Sequence, residues 1–506
     1  MDVMVVGGGP VGMMAAALLD TAGIQVEVFE RNTEPSRQSR GSTMHPRTLE
    51  VLTMLETSDG RRVSDVLVAQ GKPVSGTHYA TLPDLLDYRD LDTPFPFALM
   101  IAQWRTEAAL AELLRARAVP VHYGAGVTDV VQDEDEVRVR VGGTWHRARY
   151  LVGADGAHSL VRKAAGIEFP GTTPTVVGFV ADVRLARPPQ HATHLWHQDA
   201  GLASVVPLTD TITRVFGVKA GDAGLDAEQV RARQAEPLTV AELADSLARI
   251  SGQDFGLLSA SWLSRSSNSG RHASAYRSGR ILLAGDAGHV HLPAGGQGFN
   301  VGLQDATNLA WKLAAEVTGW APDRLITGPS SYDAERRPVA TRLVRDTQAQ
   351  DALMHTFSAT GAALRAMFSD FIAQRGEVSH QLAGALSGLA VAYPRPEGAD
   401  PLVGTRAPDL ALTRGSVLRA LRPDRFLLLD LTTDAALAGF GSAHVEVRTA
   451  PAPTGSRRAA WDGVQAALIR PDGYIAHVAP SPAGLAEAIA AWTEPATRTL
   501  TAAQGI

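Results

Sequence analysis

The chain has 506 residues, 45% hydrophobic and 20% charged, with 47 basic against 53 acidic side chains and a formal charge of −6. That is apolar material for about three domains, and it excludes a disordered chain. The mild acidity argues against nucleic acid as the main partner. The complete lack of cysteine excludes disulfides, thiolate metal sites, iron–sulfur clusters and thiol nucleophiles, and no metal centre is expected.

The N-terminal run 3–19 is apolar, but Asp2 precedes it, the first basic residue is Arg31, and Gly7-Gly8-Gly9-Pro10 would break a spanning helix. No other stretch approaches the roughly 18 unbroken apolar residues of a membrane span. A cytoplasmic protein with no membrane partner is expected.

Residues 3–6, 11–19 and 26–29 read as strand, helix and strand, one βαβ unit. Helical spacing follows at 104–117, and 127–141 alternates apolar and charged residues as a half-solvated hairpin would. Between 170 and 268 the texture changes to short β-rich runs, with one helix at 240–250, which predicts a mostly antiparallel sheet inserted into the first domain. A buried strand at 280–284, a helix at 302–317 and a long helical stretch at 330–389, with Pro338 as start or kink, complete that domain. Four prolines between 393 and 409 mark a boundary, beyond which lie strands at 426–431, 444–448 and 467–469 and a helix at 485–492.

Three motifs carry chemistry. The first is Gly7-x-Gly9-Pro10-Val11-Gly12 with Glu30 at the end of the next strand. Glycines there let backbone approach a pyrophosphate at a helix N-terminus, and the glutamate is placed for ribose hydroxyls. A ligand-free glycine turn is the alternative for such a motif alone, and the strand–helix–acid register argues against it. The second is Gly153-Ala-Asp155-Gly156-Ala-His158-Ser159, which by itself reads as turn chemistry. The third runs Ala284-Gly285-Asp286, then Pro293-Ala294-Gly295-Gly296-Gln297-Gly298-Phe299-Asn300. Here an aspartate at a strand end can hold a polyol hydroxyl, and glycines bring backbone close to a flat ligand ahead of a helix N-terminus.

Together, in this order and spacing, these motifs resemble the p-hydroxybenzoate hydroxylase-like flavoprotein monooxygenases. Ser39-Arg40-Gly41, Gln103-x-x-Thr106-Glu107 and Ser331-Tyr332-x-x-Glu335-Arg336-Arg337-Pro338 are further marks. His289-Val-His291-Leu292-Pro293 and Gly376-Glu377-Val378-x-His380 resemble the aromatic polyketide hydroxylases of angucycline and anthracycline pathways in particular. The resemblance implies an α/β chain: a Rossmann-like FAD-binding domain in two parts (1–169 and 269–392), an antiparallel substrate domain (170–268), and a cysteine-free thioredoxin-like domain (393–506) with a packing role. It implies FAD at the dinucleotide site, held by Gly7, Gly9, Pro10, Val11, Gly12, Glu30, Arg31, Arg40, Gln103, Val127, Asp155, Asp286, Pro293, Gly296, Gly298, Phe299 and Asn300. NADPH or NADH would serve as transient reductant; no second strand-borne Gly-x-Gly-x-x-Gly is found.

The implied reaction is hydroxylation of a small-molecule polycyclic aromatic polyketide by O2 through a flavin C4a-hydroperoxide, in antibiotic-type metabolism. Baeyer–Villiger insertion and a non-catalytic flavin-binding role are the alternatives, and a homodimer is one expected assembly. No convincing general base is found: His45 and Arg47 are weak catalytic candidates, and a structural role is the alternative for each. Trp196, Gln198, Pro293 and Ala294 are the candidate substrate residues, with strand core as the alternative for Trp196.

Overall fold

The computed structural model describes residues 1–35, 41–189, 194–453 and 459–495. The first segment places β1 (Val3–Val6), α1 (Pro10–Thr21), β2 (Val26–Glu30), α2 (Pro46–Leu52), α3 (Gln103–Ala116), β3 (Val121–Tyr123) and β4 (Tyr150–Gly153). The middle segment holds β5 (Val177–Leu185), β6 (His194–Gln198), β7 (Gly201–Pro207), β8 (Thr213–Lys219), α4 (Val240–Ser251) and β9 (Leu257–Ser267). The chain then returns through β10 (Arg277–Ser278), β11 (Ile281–Leu283), α5 (Gln297–Thr318), α6 (Tyr332–Met354), α7 (Ala359–Ala373) and α8 (Glu377–Ser387). The last segment contains β12 (Phe426–Asp430), β13 (Val445–Thr449), β14 (Ala466–Ile469), β15 (Ile475–Ala479) and α9 (Leu485–Thr493).

The first sheet runs β10-β11-β4-β1-β2-β3, parallel from β11 to β3. Its strands carry continuous apolar runs because helices cover both faces. β1 and β4 are fully buried, and the alanine-rich α1 packs closely between the sheet and α5.

The five-stranded middle sheet, β6-β7-β8-β5-β9, is antiparallel throughout. Phe179, Ala181, Val183, Ala203, Val205 and Val215 pack with Leu243, Leu247 and Ile250 of α4 on one face. The opposite face sends Leu195 and Leu202 into a different cluster, with Leu82, Tyr88, Leu292, Ala294, Met354 and Leu386.

The expected long helical stretch is three helices. Pro338 lies inside α6 rather than at its start. Ser358 caps the start of α7 through Gly361 N, and Gly376 opens α8. The C-terminal sheet, β13-β12-β14-β15, is mixed, and its β14–β15 turn meets Arg47 of α2. Among the described residues no helix is long and apolar enough to cross a membrane.

Candidate active site

The three motif glycines of the first turn answer to three different constraints. Gly7 has φ +112°, and a Cβ there would lie 2.2 Å from the Ala154 carbonyl oxygen. A Cβ on Gly12 would lie 2.0 Å from the Gly7 carbonyl oxygen, so the helix could not sit this close to the strand. Gly9 is the opposite case: nothing lies within 4 Å of its absent Cβ. Gly9 caps α1 without a side-chain hydrogen bond, and Pro10 follows in the first turn. The turn therefore presents bare amides and the positive end of a helix to open space. Glu30, at the end of β2, is fixed beside it: its carboxylate accepts from Gly8 N at 2.7 Å and from Asn32 N at 2.8 Å. Arg31 is exposed next to it, Val127 begins a neighbouring strand, and Arg40 lies outside the described residues.

Asp286 sits in a tight turn directly after β11, and its side chain is exposed. The preceding Gly285, at φ +61°, packs against Val11, as does Gly302 of α5. Behind the turn, Asp305 of α5 is wholly buried and accepts from Gly285 N at 3.2 Å, His289 Nε2 at 2.7 Å and Arg336 Nε at 2.7 Å. Burial alone would push this carboxyl up, but Arg336 and His289 outweigh it and hold it below the ordinary value. Sequence reasoning gave Asp305 no role as the anchor of the turn, because its partners His289 and Arg336 lie 16 and 31 residues away along the chain.

The start of α5 is shaped by Gly295 and Gly296, both left-handed (φ +65° and +67°). A Cβ on Gly298 would lie 3.0 Å from His291 Nε2. Asn300 is buried and tied three ways: it accepts from His45 N at 2.8 Å and donates to the Thr43 and Gly296 carbonyls at 2.9 and 2.7 Å. Gln103, first residue of α3, accepts from Gly41 N at 3.0 Å, and Phe299 packs beside Gly41. Pro293 and Ala294 enter the same loop. The structure thus brings residues 41–45, 103 and 293–300 together around the N-terminus of α5. Asp155 turns inward instead: its carboxylate accepts from Leu160 N at 2.7 Å and Val161 N at 3.1 Å, capping the following helix.

This arrangement fits FAD. The pyrophosphate would meet the open Gly9 edge and the uncapped α1 amides, the ribose Glu30, the ribityl chain Gln103 and Asp286, and the ring the Pro293–Asn300 loop. A Gln103→Ala exchange is expected to weaken FAD binding about 2- to 10-fold, the worth of one neutral hydrogen bond. Fluorescence titration of apoprotein with FAD measures it.

The two weak catalytic candidates are structural. His45 is 1% exposed; its Nε2 donates to the Gly295 carbonyl at 2.7 Å, and its Nδ1 accepts from the Tyr88 hydroxyl at 3.2 Å. Burial lowers its pKa to about 4, so it remains a neutral strut under the loop. Arg47 is equally buried but faces the C-terminal segment. It donates to Glu50 at 2.8 Å and the Asp472 carbonyl at 2.6 Å, and lies over the Tyr474 ring.

Of the sheet residues, Trp196 points away from the loop. It meets Phe255 edge-to-face on the α4 side, and Gln198 is exposed at the strand end. Side chains alternate along a strand, so the residues facing the other way are Leu195 and His197. Both adjoin the cluster that contains Leu292 and Ala294. The alternation was visible in the sequence, but its phase was not, because both faces of the sheet are covered.

The family model for an FAD binding domain matches residues 1–347, and that for the aromatic-ring hydroxylase C-terminal domain matches residues 400–496. The chain is 39% identical to an uncharacterized aromatic compound monooxygenase, YhjG, of Bacillus subtilis, over 94% of this chain and 93% of the other. It is 36% identical to the 12-dehydrotetracycline 5-monooxygenase/anhydrotetracycline 6-monooxygenase of Streptomyces rimosus, over 98% and 99%. Its fold matches the solved anhydrotetracycline hydroxylase OxyS from Streptomyces rimosus with a TM-score of 0.85 at 35% identity, covering 97% of this chain and 99% of that one. The chain therefore belongs to the FAD-binding aromatic-ring hydroxylases and is an FAD-dependent aromatic monooxygenase.

Proposed function

We propose that this enzyme hydroxylates a polycyclic aromatic polyketide in antibiotic-type secondary metabolism, in the cytoplasm, using NADPH as electron donor. The observation that carries the reading is a juxtaposition. The glycine-shaped loop at the start of α5 lies beside an apolar wall formed by Leu195 and Leu202 of the middle sheet, the segment around Leu82 and Tyr88, and Leu386 of α8. Such a wall suits a flat, largely apolar ring system with few polar handles. The likeness to the tetracycline-pathway monooxygenase supports this substrate class.

In this reading residues 1–169 and 269–392 form the cofactor domain, 170–268 the substrate domain, and 393–506 a thioredoxin-like domain that braces α5 and α6. Bound FAD, once reduced, supplies the activation of O2. The residues of this chain bind, orient and exclude water. The α5 N-terminus would favour negative charge on a cofactor bound there, His45 and Asn300 hold the loop, and the apolar wall would help to exclude water.

Purified enzyme is expected to be yellow and to oxidise NADPH faster in the presence of an angucyclinone or anthracyclinone, yielding a product with a new ring hydroxyl. NADPH oxidation unmoved by any such compound would overturn the reading. Oxygen located in a lactone would instead favour Baeyer–Villiger insertion.

A further inference from the structure

We propose that His197 reads the substrate, its Nδ1 accepting a hydrogen bond from a phenol or enol hydroxyl of the bound aromatic ligand. This rests on the function proposed above and names the residue that would orient that ligand. His197 lies one residue from the end of β6, on the face opposite Trp196. Its Nε2 is 3.1 Å from the Met354 carbonyl oxygen. A carbonyl only accepts, so Nε2 carries the proton and Nδ1 is left as a lone-pair acceptor.

The ring is held in place by stacking on Phe357, with centroids 5.0 Å apart at 26°. No donor to Nδ1 is found among the described residues. The side chain is half-buried rather than sealed off. Its surroundings on this face, Leu195, Leu202, Met354 and Phe357, are apolar. A lone, oriented acceptor in an apolar wall is the usual way a pocket fixes the direction of a flat ligand.

The acceptor state is also stable. Burial, with help from the positive Arg365 on α7 and from His355 after α6, lowers the pKa of His197 to about 4. Among the described residues Arg365 donates to the carbonyls of Ala80, Thr81 and Leu353, and His355 pairs with Asp351. Among the described residues no carboxylate faces His197, and the backbone carbonyls of Met354 and of His197 itself, which act the other way, do not offset the shift. The imidazole therefore stays neutral around pH 7 and offers the same nitrogen to every ligand.

The test uses holoenzyme and two probes, 2-hydroxyanthraquinone and 2-methoxyanthraquinone, with Kd read from the perturbation of the flavin spectrum. His197→Phe keeps the stacking and removes both nitrogens; His197→Gln keeps a donor for the Met354 carbonyl and carries an amide oxygen as acceptor in place of Nδ1. In His197→Phe the preference for the hydroxyl over the ether is expected to fall about 3- to 10-fold relative to wild type, from loss of one neutral hydrogen bond, and in His197→Gln the amide oxygen is expected to restore part of it. Binding of the ether should stay unchanged, which a merely structural role would not produce. A preference retained in His197→Phe overturns the proposal, as does a wild type that does not distinguish the probes. If neither probe perturbs the flavin of wild type, the aromatic-substrate reading falls and this assignment falls with it.

Discussion

Glu335→Gln is expected to destabilise the protein by about 3–5 kcal/mol, the usual cost of leaving buried charge without its partner. The Glu335 carboxylate accepts from both terminal nitrogens of Arg470 at 2.7 Å, from Lys312 at 2.6 Å and from Asn308 at 2.8 Å. Asp472 completes the cluster, accepting from Arg470 Nε at 3.0 Å and Trp311 Nε1 at 3.1 Å. All four ionised side chains are no more than 3% exposed, two of each sign. α5, α6 and the β14–β15 turn supply them, so the cluster fastens the C-terminal segment to the cofactor-binding part. The glutamine would leave Arg470 and Lys312 facing one carboxylate. Thermal unfolding of Glu335→Gln against Glu242→Gln checks this. Glu242 accepts from Arg265 at 2.7 Å and also pairs with Arg233 and Lys219, but its side chain is 21% exposed to water, so its loss should cost less than that of Glu335.

The same cluster sets an acid dependence. Burial raises the Glu335 pKa, but Arg470 and Lys312 outweigh it and bring it to about 2, against an ordinary 4.5. The folded value lies below the unfolded one. The stabilisation is therefore complete above pH 4.5 and drains away as the pH falls from 4.5 toward 2. The unfolding midpoint of wild type should fall across that window, and that of Glu335→Gln should fall less.

What the sequence made legible follows from the range of each constraint. The turn at Gly7, Gly9 and Gly12 is local: each glycine answers to backbone a few residues away or to the strand beside it, so spacing alone exposes it. His45 and Arg47 were opaque because their partners lie far along the chain, at Gly295 and Asp472. Nothing near them in sequence states that one is a strut under a loop and the other a tie to the C-terminal segment. The same holds for Glu335 and Arg336. They were visible as a motif, but they turn to different networks: Glu335 to the C-terminal turn, Arg336 to Asp305 and Tyr393. The 330–389 stretch read as one helical region because its apolar spacing is nearly continuous. The breaks come from a capping serine at 358 and from Arg375 at φ +52° ahead of Gly376, weak signals against that background.

Asp286→Ala is expected to give a folded but largely colourless protein. Asp286 is exposed in the turn after β11, while that turn is anchored from behind by Asp305 and packed against Val11. In the proposed role, removing the carboxylate takes away one charge-assisted hydrogen bond to the ribityl chain and weakens FAD about 10- to 200-fold. Asp286→Asn keeps the shape and a neutral acceptor, and should fall between wild type and alanine. Asp305→Asn separates the two functions of this region. It leaves Asp286 intact but weakens the bonds to Gly285, His289 and Arg336, so it should lower the thermal midpoint as well as the affinity for FAD. Apoprotein of each variant, titrated with FAD and unfolded thermally in parallel, gives both quantities. An Asp286→Ala protein that purifies yellow with full flavin content would show that Asp286 does not hold the cofactor. An alanine variant whose apoprotein unfolds several degrees early would show instead that the carboxylate supports the turn itself.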